Sequence, residues 1–175
     1  KPDFALLGVN DIIRRIAAVM ELDAEKAGVR VDLDLDESIP PSRIDALQLT
    51  MAFRNIVKNS LEAIEGGNGW VLIRSKQTPK AIVVEFHDNG KGIPRDQLQR
   101  IFEPYVTTKF SGTGLGLMVV YRIVAEHGGY MSVESEPGRG SVFRIALPHG
   151  PLPSRLLPEA PLERGGPETA PSPSE

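Results

Sequence analysis

Apolar residues recur at helical spacing in three long segments of this 175-residue chain. The first segment predicts a helix that starts at Asn10 or Asp11, either of which can cap its first turn, and ends near Ala27, before Gly28. The third segment predicts a helix over residues 115–126, which a pair of glycines ends. Helices with one apolar face need a second layer to pack against.

The second helical segment, about residues 45–64, has the strongest apolar stripe. Three polar residues, Asn55, Asn59 and Glu62, follow one another at positions i, i+4 and i+7, so they project from one face. Asn is a mediocre helix former because it competes for backbone hydrogen bonds. Two of them one turn apart indicate either a functional face or an ordinary solvent-facing stripe. The apolar members of the helix are Leu47, Met51, Phe53, Ile56, Val57, Leu61 and Ile64.

Apolar runs of strand length lie between and after these helices. Residues 29–35 alternate strictly between apolar and charged positions, which predicts a strand with one face in water, ended by Pro40-Pro41. Residues 81–87 are apolar nearly throughout, so this strand is expected at the centre of the sheet. Together the elements predict an α+β layer fold. The others are strands at residues 70–75, 130–135 and 141–147 and a short helix at 94–101 with Pro in its first turn.

Composition and charge narrow the class of protein. An apolar content of 41% and a charged content of 25% are typical of a soluble globular chain. A net charge of −3 gives no reason to expect nucleic acid or an anionic membrane as partner. The absence of cysteine excludes a disulfide scaffold, a thiolate metal site and a cysteine nucleophile. No apolar run reaches transmembrane length.

The composition changes after Pro148. Residues 149–175 are rich in Pro, Gly, Ser and Glu and have no periodic apolar pattern, so we expect a disordered tail or linker there and one domain over residues 1–148. The chain begins with Lys1 rather than Met, which indicates a piece of a longer protein.

The densest candidate chemistry lies between residues 88 and 117. A buried-type strand runs into Asp88-Asn89-Gly90-Lys91-Gly92-Ile93, and Gly112-Thr113-Gly114-Leu115-Gly116-Leu117 opens the last helix. Glycines let backbone N–H groups approach a ligand, and a helix N-terminus attracts anions. Each cluster alone could be an ordinary turn. Together they predict a nucleotide pocket with a phosphate-facing lid, without the strand context of a dinucleotide fingerprint or the Gly-Lys-Ser/Thr of a P-loop.

Four features in this order resemble the catalytic and ATP-binding domain of sensor histidine kinases, in the GHKL superfamily. The resemblance covers about residues 4–148, and residues 101–109 are especially similar to the nitrogen-regulator-like group. It implies a Bergerat fold, a two-layer α/β sandwich in which a mixed, mainly antiparallel sheet of about five strands packs against three helices. The features are Asn55-x3-Asn59, Asp88-x-Gly90-x-Gly92, Phe102 ahead of a loop with Gly112-x-Gly114-x-Gly116, and Gly138-x-Gly140-Ser141.

The resemblance implies roles for single residues. Asp88 would accept a hydrogen bond from the exocyclic amine of adenine, and Ser141, where the family usually has Thr, would bond a water shared with Asp88. Asn59 would place its amide oxygen on Mg²⁺, which prefers oxygen ligands. Asn55 would contact the phosphates or the water shell of the metal. No role is implied for Glu62.

The two glycine loops would border the nucleotide. In the lid, Lys109 and Thr108 are candidates for contact with the γ-phosphate. The backbone of both loops would supply the remaining contacts to ATP. The residues implied are Gly90, Gly92 and Ile93 in the first loop and Gly112, Thr113, Gly114, Leu115, Gly116 and Leu117 in the second.

Asn55 bears on the type of reaction. The superfamily's hydrolases typically have at this position a Glu that acts as general base on water, and its serine kinases also have a carboxylate there. An amide cannot take up that proton, so hydrolysis is disfavoured and transfer to an already basic imidazole is favoured. Asn55, Lys109 and Thr108 are then the candidate catalytic residues, acting by positioning and charge neutralisation.

The phosphoacceptor is expected outside this chain. None of the three histidines, His87, His127 and His149, has a phosphoacceptor context, so each is interpreted as structural. The acceptor would lie on a dimerisation domain, and a response regulator would receive the phosphate. We expect a monomeric, cytoplasmic domain of a homodimeric parent that is either soluble or membrane-anchored. Two alternatives stay open, a degenerate non-catalytic nucleotide-binding or interaction module, and a GHKL ATPase or Ser/Thr kinase.

Overall fold

Helices cover one face of a five-stranded sheet in the computed structural model, which describes residues 2–101 and 115–149. Within those residues no helix has the length and apolarity needed to span a membrane. The elements are β1 (Ala5–Leu7), α1 (Val9–Ala27), β2 (Val29–Leu35), β3 (Ser42–Ile44), α2 (Ala46–Ala63), β4 (Gly69–Gln77), β5 (Ala81–Asp88), α3 (Arg95–Leu98), α4 (Gly116–Glu126), β6 (Tyr130–Glu136) and β7 (Gly140–Pro148).

The strand order of the main sheet is β2-β4-β5-β7-β6. Only the β2–β4 pair is parallel in this sheet of the described residues, because α2 connects the two strands, and the other three pairs are antiparallel. The predicted mixed, mainly antiparallel sheet is confirmed, with β5 at its centre. A second small sheet, in which Ala5 pairs with Ile44, was not predicted because its strands are three residues long.

The core lies between the sheet and helices α1, α2 and α4. Phe53 of α2 and Phe86 of β5 are fully buried, and their ring centroids are 5.3 Å apart. This contact places the middle of α2 directly over the central strand. The side chains at the ends of α2 and β5 are therefore brought together, and they form the site described below.

The prediction that Asn10 or Asp11 caps α1 is wrong. Gly8 occupies the cap position, and both residues lie inside the helix. The buried Asn10 amide donates to the carbonyl oxygen of Asp36 at 2.9 Å and accepts from the Ser75 hydroxyl at 2.7 Å. The side chain of Asn10 therefore makes its hydrogen bonds within the core and cannot cap the helix.

The apolar stripe of α2 is narrower than predicted. Leu47 and Met51 are 76% and 48% exposed, whereas the other five apolar members are buried. Leu47 and Met51 stand at i and i+4 and share their face with the exposed Arg54 and Lys58 at i+7 and i+11. The prediction that residues 1–148 form the domain and 149–175 a tail stays a prediction, since residues 150–175 lie outside the described part of the chain.

Candidate functional site

Asp88 ends the central strand β5 and turns its side chain toward the helical layer. It pairs with Val71 of β4 on one side and Ser141 of β7 on the other, and it is only 5% exposed. Its Oδ2 accepts a hydrogen bond from the hydroxyl of Ser60 at 3.0 Å, and its Oδ1 accepts one from the backbone N–H of Gly90 at 2.9 Å. The carboxylate is thus held by α2 and by the loop that follows β5.

The pKa of the Asp88 carboxyl group is shifted by its surroundings. Burial raises the pKa of its carboxyl group, while hydrogen bonds from Gly90, Ser60 and the backbone of Ser141 and the charge of His87 work in the opposite direction. A buried carboxyl with a perturbed pKa and defined donors is a candidate for a functional group. Its remaining lone pairs can accept a hydrogen bond from a ligand.

Helix α2 carries the two asparagines that the sequence predicts as site residues. Ser60, which touches Asp88, directly follows Asn59, and Asn55 lies one turn earlier. Both asparagines are half-buried, so their amides are accessible from one side. Glu62 is more exposed, and its carboxylate lies 3.9 Å from the ammonium of Lys58. Ser60 places this part of α2 beside Asp88, and a joint site of Asn55, Asn59 and Asp88 stays a prediction.

The first glycine loop is held by backbone packing. A Cβ on Gly90 would lie 2.8 Å from the carbonyl oxygen of Ala63, and one on Gly92, at φ +71°, would overlap the carbonyl oxygen of Glu136. The N–H of Lys91 donates to that Ala63 oxygen at 2.9 Å. Close approach to neighbouring backbone therefore explains these glycines without a ligand. Contact between Gly90 or Gly92 and a nucleotide stays a prediction.

A serine that the sequence reasoning missed joins three parts of the site. The Ser135 hydroxyl accepts from the N–H of Ile93 at 2.8 Å, donates to the carbonyl oxygen of Gly140 at 2.9 Å and lies 2.8 Å from the Ser141 hydroxyl. The direct side-chain partner of Ser141 is thus Ser135, while its backbone bonds to Asp88. The expected water between Ser141 and Asp88 stays a prediction, as does nucleotide contact by Ile93.

Comparison with known proteins decides the family. Residues 44–151 match the family described as "Histidine kinase-, DNA gyrase B-, and HSP90-like ATPase". The chain belongs to this family. The sensory histidine kinase/phosphatase NtrB of Rhodobacter capsulatus is 43% identical over 133 residues, which are 67% of this chain and 36% of that protein. The resemblance to sensor histidine kinases of the nitrogen-regulator-like group is confirmed.

Solved structures agree with this assignment. The catalytic domain of histidine kinase ThkA superposes with a TM-score of 0.76 at 30% identity, over 84% of this chain and 96% of that one. Full-length ShkA in complex with AMPPNP superposes with a TM-score of 0.78 at 27% identity, over 89% of this chain and 33% of that one. The two-layer fold of the histidine kinase ATPase domain is confirmed. The chain spans about a fifth to a third of the curated relatives it matches first.

The segment predicted to be a lid lies mostly outside the described residues. Thr108, Lys109, Gly112, Thr113 and Gly114 all fall in residues 102–114, so their predicted roles are untested. The described part resumes at Leu115, and α4 begins at Gly116 without a side-chain cap. Among described atoms none lies within 4 Å of a Cβ placed on Gly116. Leu115, Gly116 and Leu117 are half-buried at this helix start.

The histidines of the GHKL domain have structural partners, as expected. His127 is buried, its Nε2 accepts from the backbone N–H of Asp45 at 3.1 Å, and its Nδ1–H donates to the carbonyl oxygen of Ile123 at 2.8 Å. His87 lies 3.1 Å from the carboxylate of Glu85, and His149 lies 2.9 Å from the carbonyl oxygen of Thr78. Each of the three histidines therefore has a polar partner within the domain.

A cavity of about 370 Å³ opens beside Asp88 on the other face of the sheet. Trp70, His87, Glu134 and Val142 line it, and all four alternate with the residues that face α2. It lies away from the asparagines of α2. Asp88 and Ser141 also line it, so the cavity adjoins the nucleotide site that the sequence predicts.

Two residues of the site escaped the sequence reasoning, Ser60 and Ser135. Ser60 carried a usable signal, since it stands within the apolar stripe of α2, four residues after Ile56, where a hydroxyl needs a buried partner. Ser135 carried no comparable signal. It lies near the end of β6, where its partners Gly140 and Ser141 are reached only once the turn has formed, and its third partner, Ile93, is 42 residues away.

Proposed function

We propose that this domain binds Mg-ATP and transfers the γ-phosphate to a histidine on a separate dimerisation domain of a sensor histidine kinase. The observation that carries the proposal is the placement of Asp88. This buried carboxylate ends the central strand and is held by Ser60, next to Asn59 on the helix that also bears Asn55. The family match and the AMPPNP complex of ShkA support it.

Asp88 would select adenine. An acceptor here matches the exocyclic amine of adenine, whereas guanine would present a carbonyl oxygen to it. Two acceptors that face each other in a buried site leave both unsatisfied, which costs about 1–3 kcal/mol. The hydrogen bonds from Ser60 and Gly90 leave Asp88 lone pairs for this contact.

The donor set of α2 fits a magnesium ion. The Asn59 amide supplies a neutral oxygen, and Mg²⁺ prefers hard oxygen ligands while keeping several waters. Among the described residues no cluster of three or more His, Cys, Asp or Glu side chains offers a competing site. When bound, the ion would neutralise charge on the phosphates, and Asn55 would contact the phosphates or the metal's water shell.

The reaction proposed is in-line transfer to an imidazole nitrogen. That nitrogen forms a bond to the γ-phosphorus as the bond to the bridging oxygen breaks, and ADP leaves. A neutral imidazole has a free lone pair, so no general base is needed, in agreement with the amide of Asn55. Lys109 and Thr108 of the lid, with backbone N–H groups of residues 112–117, would stabilise the transferring phosphate.

The partners follow from this chemistry. The phosphoacceptor histidine would belong to the dimerisation domain of the parent kinase, and the phosphate would pass from it to an aspartate of a response regulator. The isolated domain would be monomeric and cytoplasmic, within a homodimeric parent. Since the chain spans only part of its relatives, these statements about the whole protein are proposals.

Calorimetric titration with Mg-ATP tests the proposal. We expect Asp88→Asn to weaken binding about 10- to 100-fold, because a hydrogen bond to a charged acceptor contributes about 1.5–3 kcal/mol. Asp32→Asn on the edge strand β2 is the matched control, since its carboxylate pairs with the exposed Arg30. Its affinity should equal that of the wild type. Equal affinities of the wild type and Asp88→Asn for Mg-ATP would contradict the proposed contact between Asp88 and adenine.

A further inference from the structure

The hydroxyl of Ser60 has an unusual position inside a helix. It lies on α2, it is 1% exposed, and its Oγ is 3.0 Å from Oδ2 of Asp88. A serine within a helix commonly returns its hydroxyl to a backbone carbonyl one turn earlier. Here the hydroxyl instead reaches a carboxylate across the interface between the helix and the sheet.

Two donors on different oxygens orient the Asp88 carboxylate. The N–H of Gly90 is bonded to Oδ1 and the hydroxyl of Ser60 to Oδ2, and the two donors come from separate elements. Rotation of the carboxylate about its last torsion would break both hydrogen bonds. The plane of the group is therefore defined, and so is the direction of the lone pairs left for a ligand.

We propose that Ser60 is a positioning residue that keeps Asp88 a fixed hydrogen-bond acceptor, and that it thereby sets the purine selectivity and the pH range of nucleotide binding. The inference rests on the proposed function, because it takes Asp88 as the contact to adenine. It adds a residue to which neither the sequence motifs nor the proposed mechanism assigns a role.

The reason is the change in hydrogen-bonding character that protonation brings. An ionised carboxylate only accepts, whereas a protonated one also donates through its O–H. The acceptor matches the amine of adenine, and the donor matches the carbonyl oxygen of guanine. A buried carboxyl that loses one of its donors takes up a proton more readily, because hydrogen bonds to the charged form are what favour ionisation.

The groups around Asp88 make Ser60 the residue to change. Val71 of β4 and Ser141 of β7 face it and carry no titratable group, like Ser60 itself. The charge that bears on Asp88 comes from His87, which precedes it on β5. The pH series is therefore also run in a His87→Gln background, which removes that imidazole from the comparison.

The experiment compares dissociation constants for Mg-ATP and Mg-GTP between about pH 5.5 and 8, using the 175-residue chain. The variants are Ser60→Ala and Ser60→Thr, which restores a hydroxyl. Ser75→Ala is the matched control, since Ser75 is also a buried serine, 3% exposed, whose hydroxyl bonds to Asn10 instead of Asp88. All three variants are checked for folding by thermal denaturation.

We expect Ser60→Ala to bind Mg-ATP about tenfold more weakly near neutral pH and more weakly still as the pH falls. Its preference for ATP over GTP should shrink over the same range. Ser60→Thr should recover the wild-type pH profile, and Ser75→Ala should bind both nucleotides like the wild type. These changes would not follow from a packing role, which predicts a loss that is independent of pH.

Two results would overturn the inference alone. One is an ATP affinity of Ser60→Ala that parallels the wild type at every pH, with the same ratio to GTP. The other is a pH-independent loss that Ser60→Thr does not recover. Failure of the wild type to bind Mg-ATP, or equal affinity in Asp88→Asn, would overturn the proposed function and this inference with it.

Discussion

Two buried carboxylates three residues apart on β5, Glu85 and Asp88, contribute to stability with opposite dependence on pH. Burial raises the pKa of Asp88 above its ordinary value, so the folded state holds that proton more tightly than the unfolded chain. Stability from Asp88 is therefore present at low pH and is lost as the pH rises through the folded pKa. A carboxylate that is unfavourable at neutral pH and is still held by donors from Ser60, Gly90 and the backbone of Ser141 fits a functional role better than a structural one.

Glu85 shows the reverse behaviour on the solvent face of the sheet. Burial alone would raise its pKa, but hydrogen bonds from Lys76, His87 and Arg144 hold it at about 2, against 4.5 for a free glutamate. Its stabilisation is then present above about pH 4.5 and is lost as the pH falls toward 2. The carboxylate is 4% exposed, so water screens these interactions little.

At pH 7 we expect Glu85→Gln to lower the free energy of unfolding by about 2 kcal/mol, measured by urea denaturation. Glu134→Gln is the control, because Glu134 pairs with the same Arg144 at 2.7 Å but its side chain is 70% exposed. That variant should lose less than about 0.5 kcal/mol. The cost of Glu85→Gln should shrink as the pH falls below about 4.5 and should nearly vanish only near pH 2. A cost that is the same at pH 7 and near pH 2 would contradict this account of the cluster.

At the scale of elements, the turn between β6 and β7 packs against the end of β5 at Asp88. Gly138 and Gly140 both adopt positive φ, +79° and +100°. A Cβ on Gly138 would meet no described atom within 4 Å, whereas one on Gly140 would overlap the carbonyl oxygen of Asp88. Gly138 is thus required by its backbone conformation alone. Gly140 is required by its conformation and also by the close approach of β7 to β5.

Alanine at these two positions should separate the two effects. We expect Gly138→Ala to cost about 1 kcal/mol of stability, the strain of a left-handed residue with a side chain. Gly140→Ala should cost about 3 kcal/mol or more and should weaken Mg-ATP binding, since Asp88 must shift. Urea denaturation and calorimetry check both, and equal costs for the two variants would contradict the assigned clash.

The helices that the sequence placed well, α1, α2 and α4, each have a periodic apolar pattern several turns long. Helix α2 was placed within one residue at each end, and its predicted start agrees with the cap in which Asp45 accepts from the N–H of Gln48. Strands β1 and β3 are too short for a pattern, and Asn10 was misassigned because its partner Asp36 is 26 residues away. Contacts at such separations are set by the tertiary fold.

The candidate site was predictable to the same extent. Asp88 and the asparagines were assigned to one site by the resemblance of their motifs to those of sensor histidine kinases, and the structure brings the end of β5 to α2 through Ser60. The packing reason for Gly90 and Gly92 was not visible, because it depends on Ala63 and Glu136 from other elements. A glycine motif alone does not distinguish close approach to a ligand from close approach to backbone.

At the scale of the whole molecule, one layer organises the chemistry. Helix α2 bears Asn55, Asn59 and Ser60, and it packs against the central strand that ends in Asp88. The contacts proposed for Asp88, Asn59 and Asn55 would therefore depend on the packing of this one helix against β5. Residue 55 is an amide and not a carboxylate. The proposal of kinase rather than hydrolase chemistry rests on this difference.

Transfer of labelled phosphate from Mg-ATP to the separately produced dimerisation domain of the parent kinase tests the central claim most directly. We expect acid-labile phosphate on a histidine of that domain, none with Asp88→Asn, and faster release of inorganic phosphate in Asn55→Glu than in the wild type. Tight ATP binding without any labelling, or wild-type hydrolysis as fast as that of Asn55→Glu, would contradict the account.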